Sequence, residues 1–178
     1  MIMFLVLTSF IQASCSQNIA FVINGTVTKV LSGDVFQIIT SVQTKLWGRL
    51  YGVDAPETFT INPRNDAVIP IDQPYGDASR TALGNKILGQ TVHLSVIKMD
   101  NHHRLVAIVW LNERNINLEM VCDGYAEALV ESIKPPYRSA FLEAQQEAKS
   151  NRLGIWSFPR YERPGDFRKR FNMPDEEE

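Results

Sequence analysis

β-branched and apolar residues recur at short spacing over residues 19–30 (Val22, Ile23, Thr26, Val27, Thr28, Val30), which suits a pleated, half-buried strand. Ser32-Gly33 then signals a turn, residues 34–40 form a second such run (Val35, Phe36, Ile38, Ile39), and residues 44–53 a third. The spacing predicts a three-strand meander. Residues 62–73 contain Pro63, Pro70 and Asp72 without a period and read as an exposed loop. After Pro74, Tyr75, Ala78 and Ala82 fall at helical spacing, and Gly89 is placed to stop a helix over 75–88. Val92, Leu94 and Val96 alternate with polar residues in a fourth strand over 90–99, and residues 104–111 predict a fifth. A short helix capped by Asn117 ends at Gly124. Pro135-Pro136 opens a longer one, whose Tyr137, Phe141, Ala144 and Ala148 form a core-facing stripe.

Five short strands, with one helix between the third and fourth and two after the fifth, predict an α+β domain. Its outline is an OB-fold five-stranded β-barrel with three α-helices, over residues 19–157. Residues 158–178 read as a tail, basic at Arg160, Arg163, Arg168, Lys169 and Arg170 and acidic at its end. Such a tail is expected to be solvated, its flexible cations adding salt-dependent affinity for an anionic partner.

Composition adds constraints. The 178 residues suit a single domain, 44% hydrophobic and 21% charged, and a net charge of −2 argues against binding nucleic acid through a global positive field. Any anionic partner must be held by local charges or a metal. Residues 1–11 are almost wholly apolar and are followed by the small polar Gln12-Ala13-Ser14-Cys15-Ser16. Residues 1–16 are therefore expected to be a signal peptide, with the protein secreted or periplasmic. Lipid anchoring at Cys15 is not expected, because Gln12 stands where a lipoprotein signal carries Leu. Past this segment Cys122 is alone, so no internal disulfide is available and an inert, packed thiol is expected.

The densest chemistry lies in residues 46–58, L-W-G-R-L-Y-G-V-D-A-P-E-T, where Arg49, Asp54 and Glu57 crowd the end of an apolar run stopped by Pro56. A surface ion pair beside a turn is the bland alternative. Arg49 and Asp54 are five apart, so on an unbroken strand they would face opposite ways. A shared site needs a bend, which Gly52 and Pro56 permit.

Taken with Ser32-Gly33-Asp34, Tyr75-Gly76-Asp77-Ala78, Arg104-Leu-Val-Ala107, Gly124-Tyr-Ala126 and Leu153-Gly-Ile-Trp156, the R-x-x-x-V-D-x-P-E core resembles the thermonuclease, or staphylococcal nuclease, family over about residues 25–156. The resemblance implies an OB-fold, Ca²⁺-dependent endonuclease acting on DNA and RNA. It implies that Asp34, Asp54 and the carbonyl of Ala55 hold the metal, and that Arg49, Glu57 and Arg104 are catalytic. Ser32 stands where many members have a second acid, Val35 where they have Thr, and Asn101-His102-His103 replaces a common Lys-Tyr-Gly run. Neighbouring His102 and His103 diverge and read as an exposed turn, not a metal site. Nucleic acid is the expected partner, with no obligate protein partner and a monomeric chain. The rival reading is a non-catalytic OB-fold module binding single-stranded nucleic acid, which would have no chemical need for the full charged set.

Overall fold

The computed structural model describes residues 19–61 and 68–173. In chain order its elements are β1 (Phe21–Val30), β2 (Val35–Ile39), β3 (Lys45–Leu50), β4 (Val53–Asp54), β5 (Phe59–Ile61), β6 (Val68–Pro70), α1 (Gly76–Ile87), β7 (Thr91–Met99), β8 (Leu105–Leu111), β9 (Arg114–Asn115), α2 (Ile116–Cys122), β10 (Glu127–Ala128), α3 (Arg138–Ser150), a 3-10 turn (Gly154–Ser157) and α4 (Pro164–Arg170). The expected signal peptide lies outside the described residues.

β1 is long enough to serve two neighbours. Its first half pairs antiparallel with β7 and its second half with β2, so the strand bends from one wall to the other. Register shifts between Val27 and Lys29, and between Val96 and Lys98 on β7, supply extra twist where the sheet curls. β2 continues to β3, β7 to β8, and β3 pairs parallel with β8. That last ladder closes a five-stranded barrel of the OB type, with no open edge between these strands. Val27, Phe36, Ile38, Leu50, Leu94, Val96 and Ile108 fill it.

The helices cover the rest of the apolar surface: α2 packs on β8 and α3, and α1 on β1 and α2. Phe141, Ala144 and Ala148 of α3 are buried as the stripe predicts, and Gly89, with φ at 76°, follows the end of α1. Asn117 is not the cap of α2. Asn115 caps it, accepting from the Leu118 N–H at 3.1 Å. Asn117 is fully buried instead, accepting from the Val109 N–H and donating to the carbonyls of Tyr51 and Ala107. It thereby pins α2 to the segment that leaves β3.

Two expectations change. Within the region read as a loop, Val68–Pro70 pairs antiparallel with Phe59–Ile61. There are four α-helices among the described residues, not three. The fourth arises where the basic tail was expected to be solvated: Pro164 at its start presets φ, Phe167 is buried, and Arg170 lies over the rings of Phe167 and Phe171. No described helix is long and apolar enough to cross a membrane.

Candidate active site

The site is built at one rim of the barrel from three turns. The first follows β1, where the Ser32 hydroxyl donates to Asp34 Oδ1 at 2.6 Å and accepts from the Val35 N–H at 3.1 Å. Gly33 is required by close approach: a Cβ there would fall 2.8 Å from the Ala55 Cβ and far inside contact with Ser79 Oγ. This is how Asp34 comes to lie against the Asp54-Ala55 segment.

The second turn interrupts the third apolar run. β3 stops at Leu50, Gly52 takes a φ of 72°, and the chain resumes as β4 at Val53–Asp54. The break removes the opposite-face problem. Arg49 Nε reaches Asp34 Oδ2 at 3.4 Å, and its Nη2 lies 3.6 Å from Asp54 Oδ1, all three residues being buried. Three residues on, the Glu57 N–H donates to Gln73 Oε1 at 2.9 Å and the Gln73 N–H donates to the Glu57 carbonyl, which fixes the acid's backbone. Its carboxylate is buried beside Asp54.

The third turn connects β7 to β8. Asp100 Oδ1 accepts from the backbone N–H groups of His102 and Arg104, while Oδ2 accepts from Arg104 Nε at 2.6 Å. The turn thus fixes the guanidinium one residue before Leu105, which faces Gly48 across the parallel ladder. The same ladder sets Arg49 opposite Val106, so both arginines belong to one end of the barrel seam.

A further charged residue enters from the tail. Arg168 Nη1 donates to Asp54 Oδ1 at 2.9 Å and to Glu57 Oε1 at 2.5 Å, and Nη2 donates to Asp54 Oδ2 at 3.0 Å. Arg168 is 2% exposed. Burial opposes its charge, but hydrogen bonds to Asp54, then the charges of Asp54 and Glu57, outweigh that and hold its pKa above the ordinary arginine value. On the adjoining strand, Glu127 faces Asp54 in register and accepts from Arg163 Nε at 2.8 Å. Burial, followed by the Glu127 carboxylate, pushes the Tyr161 phenol far up.

Asp34, Arg49, Asp54 and Glu57 are therefore gathered, with Ala55 buried between the two acids of its own segment and Arg104 at the neighbouring strand end. Among the described residues no three or more His, Cys, Asp or Glu side chains are grouped to hold a metal. A cation here would take the carboxylates of Asp34 and Asp54, with carbonyl, water or substrate oxygens completing its shell. Those are hard donors suited to an alkaline-earth ion. The bidentate guanidinium on Asp54 shows independently that the pocket accepts positive charge.

Spacing alone did not point to Asp100, Gln73, Glu127 or Arg168. Asp100 had a local signal, an acid four residues before Arg104 across a turn; the other three come from distant segments. His102 and His103 lie on a half-buried to exposed turn, as expected. Cys122 is half-buried, and burial, helped by the Glu147 and Asp123 charges, raises its pKa, which keeps it a thiol.

The family described as Staphylococcal nuclease homologue matches residues 48–158. A Staphylococcus intermedius protein named thermonuclease is 33% identical over 132 residues, covering 73% of this chain and 74% of its own length. An uncharacterized endonuclease of Haemophilus influenzae is 29% identical over 131 residues, covering 74% of this chain and 65% of its own. A probable endonuclease LCL3 of Saccharomyces cerevisiae is 31% identical over 131 residues, covering 68% and 45% respectively. The chain thus spans less than two thirds of the Haemophilus and yeast relatives it matches.

Proposed function

The chain belongs to the staphylococcal nuclease family, and from that premise we propose that it is an exported, Ca²⁺-dependent endonuclease hydrolysing phosphodiester bonds of DNA and RNA. The observation that carries the reading is the gathering of Asp34, Arg49, Asp54 and Glu57 at a barrel rim whose next strand end presents Arg104. Export rests on the apolar residues 1–11 and the small polar stretch behind them.

Each residue has a task set by charge. As water attacks phosphorus, negative charge grows on the non-bridging oxygens, and fixed cations aimed there lower the barrier most. Arg49 and Arg104 present planar forks that match two phosphate oxygens, where lysines would offer only point charges. Glu57, its backbone held by Gln73, would orient the attacking water and take its proton. Asp34 and Asp54, with the Ala55 carbonyl, would hold Ca²⁺. When bound, the ion supplies charge stabilisation for the phosphoryl group and lowers the cost of deprotonating water. A weak oxygen site suits an extracellular setting, where calcium is abundant.

The test is Glu57→Gln in the full chain, assayed on DNA and RNA with and without Ca²⁺. Turnover should fall by about two to four orders of magnitude while Ca²⁺-dependent nucleotide binding survives. Undiminished cleavage by this variant, together with nucleic-acid binding indifferent to Ca²⁺, would leave the OB-fold binding module as the answer.

A further inference from the structure

Residues 159–173 do something the matched domain does not explain. The family match ends at residue 158. The chain beyond it returns to the site and is fastened at four points. Arg163 Nε bonds the buried Glu127 at 2.8 Å, and Gln73 Nε2 donates to the Glu162 carbonyl at 2.9 Å. Phe167 is buried, and Tyr161 packs edge-on against Trp156 with ring centroids 5.4 Å apart. These fastenings deliver Arg168 to Asp54, both of whose carboxylate oxygens accept from its guanidinium, while one nitrogen is shared with Glu57.

We propose that residues 159–173 are an autoinhibitory strap, in which the Arg168 guanidinium occupies the cation position of the active site and must leave before a divalent ion and a phosphodiester can enter. The inference rests on the nuclease reading for its consequence and on geometry for its substance. The Arg168 guanidinium covers the bidentate face of the Asp54 carboxylate, one N–H on each oxygen, and its positive charge repels a divalent ion from that face. Arg168 Nη1 also holds Glu57 Oε1, one of the two oxygens that could take a water's proton. Guanidinium and metal therefore compete for the same face of Asp54 and for the same negative charge. Domain and strap meet through Gln73, whose amide bonds the Glu57 N–H on one side and the strap backbone on the other. Such a device keeps the chain closed where the divalent ion is scarce and opens it where the ion is plentiful.

If the open form is about one tenth of the population, closure raises the apparent Ca²⁺ dissociation constant about tenfold. Two full-length variants test this: Arg168→Gln, which removes the plug, and Arg163→Ala, which loosens the strap without touching Asp54 or Glu57. Calorimetric titration with Ca²⁺ should show affinity rising about tenfold in the first and about threefold in the second. In the wild-type chain, Ca²⁺ should also speed trypsin cleavage after Arg168, Lys169 and Arg170, because binding expels the strap. Unchanged or weaker Ca²⁺ affinity in both variants, no Ca²⁺ binding by any form, or a tail that saturating Ca²⁺ leaves protected overturns the strap. Cleavage assays answer a separate question. A chain that never cuts nucleic acid, but whose Arg168→Gln form binds Ca²⁺ more tightly, keeps the strap and discards the nuclease reading.

Discussion

Arg104 and Arg168 are both buried guanidiniums bonded to carboxylates, yet they are held in opposite ways. Arg104 is gripped by Asp100, four residues earlier on the same turn, and that acid also bonds two backbone N–H groups of the turn. Arg168 meets Asp54 and Glu57 across 114 and 111 residues of chain, from a helix of seven residues. The difference separates what is built in from what can be withdrawn. A locally closed pair forms whenever the barrel forms. The distant pair lasts only while the tail stays docked, and docking rests partly on Arg163, whose side chain is 63% exposed.

Breaking the local pair should have the largest effect. Asp100→Ala strips Arg104 of a buried partner and two N–H groups of the turn of their shared acceptor, so unfolding free energy should drop by about 3 to 5 kcal/mol, read as a shift in denaturant midpoint. Turnover should fall as well, because the second fork loses its aim. A variant with wild-type stability and wild-type turnover would mean that the turn positions Arg104 without Asp100.

The same contrast explains what could be read from residues alone. Arg49, Asp54 and Glu57 sit within nine residues, and although the odd offset sets Arg49 and Asp54 on opposite faces of an unbroken strand, Gly52 and Pro56 permit the break that the family resemblance calls for. The barrel was legible because its strands announce themselves by β-branched runs and turn residues. α4 was not, since seven residues hold too few turns for a periodic signal and five cations invite a solvated reading. Asn117 illustrates the intermediate case: an Asn before an apolar stretch suggests a cap, but Asn115 takes that role. Only the fold reveals that Asn117 faces the carbonyls of Tyr51 and Ala107.

Gln73 belongs to both regions and sharpens the comparison. Gln73→Ala removes one bond to the Glu57 N–H and one to the strap, so stability should fall by about 2 to 3 kcal/mol. Tryptic cleavage within the strap should quicken even without Ca²⁺. If the strap's protection survives while only global stability changes, Gln73 supports the barrel rim alone.

Ser32→Ala should matter least, although Ser32 replaces an acid common in the family. Its hydroxyl donates to Asp34 Oδ1 and receives the Val35 N–H, so it orients the carboxylate without adding charge. Losing it should cost about 1 to 2 kcal/mol of stability. The effect on catalysis should be smaller still, since Arg49 Nε remains near Oδ2 at 3.4 Å and the Asp34 carbonyl stays bonded to the Leu50 N–H. Those two contacts tie Asp34 to β3 regardless of the hydroxyl, so the acid keeps its place and its charge. Cleavage measured at saturating Ca²⁺ should therefore stay within about threefold of wild type, a change worth less than 1 kcal/mol in the barrier. A collapse of turnover that added Ca²⁺ does not restore would show that the hydroxyl takes part in the chemistry instead of setting the angle of Asp34.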